Sequence, residues 1–446
     1  MSVGLSRNHA AAPRLAIPIS CLLLGGLMIG LGRAEEPVAG PVTSWRITVA
    51  AGDVDRSNLP LRCPLAVPAP LGTAAVRVLL ADGSQVDGQL AEPDLLAGPR
   101  PAVPAGELDR DVIFVLPSLP AGETVAVTAE LCPPPAQPGP PPRLVWADGP
   151  AAASLMLAGK PLLRYERPVY DATDETSRQA SYKPFHHVFD PVTGIRLTKG
   201  DGGRYPHHRG IFFGYNKIEH GPGQSVESDC WHCSGQARQE HRETVLEAAG
   251  PVSGLQRVEI DWIGSDGQSL LAETRELAVV PVSGGTVIDF SSRLAATEPV
   301  RLDGDPQHAG VQFRASNEVH ETTRGETYYL RPDGKGKPGE YRNWPQDETY
   351  VDAPWHAVSF VVGGQRYTVL RANRPANPGE ARLSERDYAR FGSYVAHDLE
   401  PGEPLKLGYR FWVQPGELEV AEAARIAADY ARPALLTVGA AGSTAE

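Results

Sequence analysis

Short runs in which apolar and polar residues alternate, broken by turn-forming residues, recur along most of the chain. Between Ser44 and Cys132 the alternation is plain in Trp45-Arg46-Ile47-Thr48-Val49, Val76-Arg77-Val78 and Thr124-Val125-Ala126-Val127-Thr128, with Asp82-Gly83 as a turn signal. A period of two is what strands with one buried face require. The spacing predicts a small Ig-like β-sandwich over 35–132. Alternation returns at 257–262, 270–280, 286–290, 357–362, 367–370 and 405–413, with Asp266-Gly267 and Gly363-Gly364 where hairpin turns belong. Almost pure strand over so long a stretch predicts a large two-sheet β-sandwich over 143–433. The one convincing helical pattern is the alanine-rich stretch 417–430, a short C-terminal helix. Residues 133–142 read PPPAQPGPPP, a stiff linker with few amide donors, and set the domain boundary. Residues 434–446 are small and polar, the composition of a disordered tail. The expected fold class is therefore all-β.

Composition adds the compartment and removes some partners. Arg7 and Arg14 precede an apolar stretch over 15–31, and Gly32-Arg33-Ala34 places small residues before Glu35-Glu36. This is the pattern of an export signal over 1–34, so the protein is expected in the periplasm or outside the cell. Cleavage after Ala34 removes three arginines and no acidic residue, so the net charge of −12 becomes −15. So acidic a chain does not suit a nucleic-acid partner, and after cleavage no segment suits a membrane. Cys63 and Cys132 fall in one predicted domain, where an oxidising compartment permits a disulfide. Cys230-Trp231-His232-Cys233 reads as a local disulfide or two free thiols rather than half of a zinc site.

Candidate chemistry is concentrated in the histidines. Seven of the 12 lie between Tyr182 and His241, densest at Pro206-His207-His208-Arg209-Gly210-Ile211-Phe212-Phe213-Gly214. If 207–213 is a strand, His207 and Arg209 share one face and His208 takes the other. Both imidazoles then enter one site only if Pro206 makes the start of the run irregular. A second stretch, His308-Ala309-Gly310-Val311-Gln312-Phe313-Arg314, sets His308, Gln312 and Arg314 on a polar face. That face reads equally well as a wet sheet surface or as a site for hydroxyl-rich or carboxylate-bearing ligands. Asp333-Gly334-Lys335-Gly336-Lys337 lacks the strand, spacing and helix of a phosphate loop and reads as an exposed loop. No G-x-S-x-G and no H-E-x-x-H occurs.

The ordered set of motifs resembles the exported bacterial PmoA family, the so-called "methane oxygenase PmoA". It runs through Lys183-Pro184-Phe185-His186-His187, Pro206-His207-His208-Arg209-Gly210, Asp229-Cys230-Trp231, His241, Asp261-Trp262, Gly304-Asp305, Pro354-Trp355, Asn377-Pro378 and Arg386-Asp387-Tyr388. Three positions depart from the family's pattern: Tyr205 stands for a histidine, Cys230 for an aromatic residue, and His308 for an acidic one. A methane monooxygenase subunit spans the membrane, and this sequence has no span after residue 34, so that activity is set aside. The resemblance implies a domain of unknown function, built as a large sandwich similar to carbohydrate-binding supersandwiches.

These readings predict an enzyme acting on a sugar or sugar-derived substrate, with lyase, epimerase and hydrolase chemistry all open. His207 or His208 is expected as acid/base, with Arg209 and Arg314 orienting charge and His308 beside them. His187, Asp229, Trp231, Gln312, Trp355 and Tyr388 are expected to bind the small-molecule or glycan ligand. The alternatives are a non-catalytic glycan binder stacking sugars on Trp231, Trp355 and Tyr388, and a metal-dependent enzyme with histidine ligands. No cofactor is certain from the sequence; the histidines leave room for a divalent metal. The oligomeric state is left open.

Overall fold

The computed structural model describes residues 43–132, 143–305 and 307–442. The predicted export signal and the proline-rich linker lie outside these residues. Strand makes up 53% of the chain and helix 9%, so the fold is all-β, as the alternation requires.

Two antiparallel sheets face each other in the larger part of the molecule. The first has eight strands, in the order Arg382–Arg386, Arg390–Tyr394, Ala309–Arg314, Ile211–Tyr215, Phe185–Val188, Lys160–Glu166, Ala152–Leu157 and Leu144–Asp148. The second has nine, running from Arg238–Ala249 through Gly254–Ile263, Ser269–Val282, Gly285–Ala295 and Leu405–Pro415 to Gln365–Asn373, Trp355–Val362, Tyr328–Arg331 and Gly334–Lys335. Their facing side chains form one core. Phe213 of the first sheet meets Trp262 at 5.1 Å and Phe290 at 6.4 Å between ring centroids, and Phe313 meets Phe360 at 6.1 Å. A four-stranded sheet of Val226–Ser228, Lys217–His220, Val300–Asp303 and His397–Leu399 flanks this sandwich.

Alternation sorts the two faces of the first sheet. Ile211, Phe213 and Tyr215 enter the core, as do Ala309, Val311 and Phe313. Phe212 and Gly214 point the other way, with Gln312 in register beside Phe212 and Arg314 beyond it. This outer face is not the wet surface that the sequence allowed. Gln312 and Arg314 are 1% and 0% exposed, because loops cover them.

The N-terminal strands form a single seven-stranded sheet rather than two. Its order is Arg56–Pro68, Glu107–Leu119, Gln85–Ala91, Ala75–Leu79, Thr124–Cys132, Thr43–Ala50 and Leu435–Gly442. Leu61, Cys63 and Leu65 from one end of the order share a core with Ile47 and Val49 near the other, so the sheet wraps around its own apolar face. The last strand corrects the expected tail. Residues 435–442 pair antiparallel with Thr43–Ala50 and pack Leu436 and Val438 against that core. Small residues suffice there because the partner strand supplies the register and half of the hydrogen bonds.

Cys63 and Cys132 are free thiols. Cys63 lies in the core opposite Val112, and burial, then the nearby Asp111 charge, pushes its thiol up to about 12. Cys132 instead pairs in register with Ala75.

The two parts also share a core, which two self-contained domains would not. Ala91 and Ile113 of the seven-stranded sheet pack with Val280, Val287, Trp355, Leu370 and Trp412 of the nine-stranded one. Ala423, Ile426 and Ala427, one face of the helix Val420–Ala431, join them. The buried Gln89 amide donates to the Ser253 carbonyl and accepts from the Val252 and Ser253 amides across the same junction. Among the described residues, no helix is long and apolar enough to cross a membrane.

Candidate functional site

Three loops meet on the outer face of the eight-stranded sheet. The loop 229–233 lies across the strand Ile211–Tyr215 at Gly214. A Cβ there would stand 2.8 Å from the Cys230 carbonyl oxygen and 3.2 Å from the Trp231 Cα, so only glycine permits the contact. Trp231 then packs on Phe212, 4.8 Å between centroids. Asp229 shapes this turn: its carboxylate accepts from the Trp231 amide at 3.0 Å and the His232 amide at 2.8 Å. The same carboxylate lies 2.8 Å from His232 Nδ1.

The second loop precedes Ala309–Arg314. Asp305 lies 2.6 Å from His308 Nδ1, and the Asn216 side-chain amide donates to Asp305 at 3.0 Å. The third loop, 199–210, brings His207. Tyr205 sits at φ +56° and Gly210 at φ +47°, both in the left-handed region. A Cβ on Gly210 would lie 2.0 Å from the His186 carbonyl oxygen. Arg209 donates to the carbonyls of Pro206, Ala180 and Gln179 and stacks over the Tyr182 ring at 4.5 Å. Residues 205–210 are therefore irregular and the strand begins at Ile211, which is the Pro206 alternative.

The three loops converge on three imidazoles. One ring nitrogen each of His207, His232 and His308 lies within 4.8 Å of the other two. Ring centroids are 4.4 Å apart for His207 and His232, 4.8 Å for His232 and His308, and 6.3 Å for His207 and His308. An ionised carboxylate only accepts hydrogen bonds, so Asp229 and Asp305 place the proton on Nδ1 of His232 and His308. That leaves the Nε2 lone pair of each available. His207 Nε2 is buried without a hydrogen-bond partner. Burial, then the neighbouring His232 and Lys183, lowers His207 to about 2, and burial also lowers His308. The side chains of His232 and His308 remain 33% and 30% exposed, which leaves one side open to solvent. Three imidazoles on an open face, two of them backed by carboxylates, are the donor set of a three-histidine divalent-metal site with a free position.

His208 has a different place. It is 2% exposed, 4.3 Å from the His207 ring and 5.6 Å from Trp231 between centroids, and neither of its nitrogens has a partner. Burial, then His207 and Arg390, holds it well below the ordinary histidine range. Neither His207 nor His208 is therefore an imidazolium near neutral pH, which does not suit the acid half of the expected acid/base role.

The other expected residues divide into a layer beneath the imidazoles and residues elsewhere. In the layer, Gln312 donates to the Ala309 carbonyl at 3.0 Å and accepts from Arg390 at 3.2 Å. Arg314 donates to the Tyr388 carbonyl at 2.6 Å and stacks on the Tyr388 ring at 4.5 Å, and that ring stacks on Tyr205 at 5.5 Å. His187 instead bonds Thr198 at 3.0 Å and packs on Phe185 and Phe189. Trp355 lies in the core between the two parts of the molecule, 4% exposed. Trp231 is 0% exposed, so neither tryptophan offers a face for a sugar to stack on. Sequence reasoning passed over His232 and Asp305. A signal was present: Asp-x-x-His occurs at 229–232 and again at 305–308.

The chain matches the Family of unknown function (DUF6807) over residues 152–428, more than half of its length. It belongs to that family. The DUF6807 match takes in all three histidine loops, and its description names no activity, so the PmoA label rests on the sequence resemblance alone. No curated protein matches the chain. Among solved structures, this DUF6807 member is similar to a protein in the glycosyl hydrolase family 38 from Enterococcus faecalis, at 9% identity and TM-score 0.44, over 90% of this chain and 48% of that one. It is similar to an alpha-mannosidase from Enterococcus faecalis V583, at 10% identity and TM-score 0.43, over 89% of this chain and 46% of that one. A galactose mutarotase-like protein from Clostridium acetobutylicum matches at 9% identity and TM-score 0.29, over 61% of this chain and 95% of that one. The chain spans about half the length of the two Enterococcus faecalis proteins. Likenesses at this level carry no argument about activity.

Proposed function

We propose that the protein is an exported, metal-dependent enzyme acting on a sugar or sugar-derived substrate. One divalent first-row ion sits on Nε2 of His207, His232 and His308. The observation that carries this reading is the convergence of three imidazole nitrogens within 4.8 Å, with Asp229 and Asp305 bonded to Nδ1 of two of the rings. Three histidines leave a coordination position open toward solvent, where a substrate hydroxyl or carbonyl oxygen, or water, can be polarised. A bound ion would supply the polarised water for proton movement that the neutral imidazoles of His207 and His208 do not. A glycan-binding protein without catalysis is less well supported, because burial removes Trp231 and Trp355 as stacking platforms. Export rests on the pattern of residues 1–34.

Metal analysis of purified residues 35–446, after chelation and reloading with zinc, is expected to give about one ion per chain. His232→Ala and His308→Ala are each expected to abolish retention while circular dichroism stays that of a folded β protein. A wild-type protein that holds no ion after reloading overturns the proposal.

A further inference from the structure

We infer that the ligand of this centre is anionic: the substrate presents a carboxylate or a like oxyanion to the open position, as a sugar acid does and a neutral sugar does not. The inference rests on the metal centre proposed above for its position, and on the charges around it for its sign.

Buried charges in proteins are ordinarily paired. Pairing of this kind is seen in part of the molecule: Arg275 meets Glu273 at 2.7 Å, Arg56 meets Asp429 at 3.1 Å, and Arg331 is held by Glu385. Six buried cations break it: Arg371 bonds only Asn373 and Ser393 and stacks on Tyr409, and the other five stand together. Lys183, Lys199, Arg209, Arg314 and Arg390 are each 2% exposed or less. None of the five has a carboxylate within ion-pair distance among the described residues, although arginine–carboxylate pairs are common elsewhere in them. Their partners are neutral oxygens: backbone carbonyls for Lys183, Lys199 and Arg209, carbonyls and the Asn317 side chain for Arg314, and Gln312 and Ser384 for Arg390. The Nε atoms of Arg314 and Arg390 have no partner at all.

All five lie against the loops and strands that carry the three imidazoles. Lys183 donates to the Trp231 carbonyl next to His232, Lys199 and Arg209 belong to the loop of His207, and Arg390 and Arg314 donate to Gln312 and to the Tyr388 carbonyl on the sheet face beneath. The carboxylates of the centre, Asp229 and Asp305, are already engaged by His232 and His308. Asp201 near Lys199 and Asp387 near His320 are the other acidic groups close by. A divalent ion would add two further positive charges to this layer. Asp229 and Asp305 keep their negative charge while accepting from the imidazoles and can balance the ion, which leaves the buried cations as a surplus that a negatively charged ligand would offset where water is excluded. A neutral polyol leaves that surplus in place; a carboxylate removes it. Burial, then Arg314, lowers Lys199 to about 7, and burial lowers Lys183, so the lasting charge is that of the three arginines; it is present with or without the ion and favours an anion even in the metal-free protein.

The test compares gluconate with sorbitol, which share a six-carbon hydroxylated chain and differ at the carboxylate, and adds glucuronate, oxalate and glucose. Each is titrated into the cobalt(II)-loaded and the metal-free protein, read by the visible cobalt spectrum and by Tm. The acids are expected to perturb the cobalt bands, to raise Tm, and to bind about tenfold or more tighter than the neutral compounds, with affinity falling as sodium chloride rises. Arg390→Gln is expected to weaken gluconate by a similar factor with cobalt content unchanged; Lys199→Gln gives a second reading if that variant does not fold. Cobalt that binds while sorbitol and glucose match the acids overturns the inference and leaves the metal centre standing. Acids that still stabilise a protein unable to hold cobalt uphold the inference and remove the metal centre. No acid binding in either form overturns it.

Discussion

Asp229 and Asp305 show how two residues of one type, three positions before a histidine, can make an imidazole into a ligand. Each carboxylate accepts a hydrogen bond from Nδ1–H, fixes the ring and raises the basicity of the opposite nitrogen. Both also tie their own turns, Asp229 through the Trp231 and His232 amides and Asp305 through the Gln307 amide alone, which makes Asp305 the cleaner probe of positioning. Asp305→Asn is expected to weaken zinc binding by about 10- to 100-fold, measured by competition with a chromophoric chelator, and to shift Tm little. Unchanged affinity would show that the carboxylate only closes a turn. The spacing Asp-x-x-His was open to reading in the sequence at both places. What hid it was that neither pair resembles a contiguous metal motif: the third ligand, His207, comes from a separate loop.

Strand alternation placed Phe212 and Gly214, and Gln312 and Arg314, on faces opposite the core, and the folded sheet keeps that assignment. Alternation says nothing of what then covers a face. The loop 229–233 reaches the sheet only because Gly214 has no side chain, and it carries His232 with it. Gly214→Ala would set a methyl group 2.8 Å from a backbone oxygen that cannot rotate away, so the loop must lift. The expected result is a loss of about 1–3 kcal/mol in stability by chemical denaturation, with zinc affinity falling alongside. A variant with wild-type stability and affinity would show that the loop does not depend on this contact. The pair His207-His208 shows the limit of period-two reasoning in the same region. The two rings lie 4.3 Å apart, because left-handed backbone at Tyr205 and Gly210 breaks the pleat that would have set them on opposite faces.

The chain ends in the sheet in which its described part begins, since Leu435–Gly442 pairs with Thr43–Ala50, and a shared apolar cluster joins the two parts. Cleavage within 133–142 is therefore expected to leave both fragments associated and co-eluting under native conditions, the N-terminal one losing its circular dichroism when isolated. Two fragments that separate and each stay folded would show that the shared cluster contributes little. The all-β class, the strand positions in the large sandwich and the short helix near the C-terminus could be read from the chain, because periodicity and turn residues are local properties. The neighbourhood of five unpaired buried cations, the meeting of His207 with His232 and His308, and the pairing of residues 435–442 with the strand Thr43–Ala50 could not. Each depends on which distant segments come to lie together, and a local pattern carries no record of its partner.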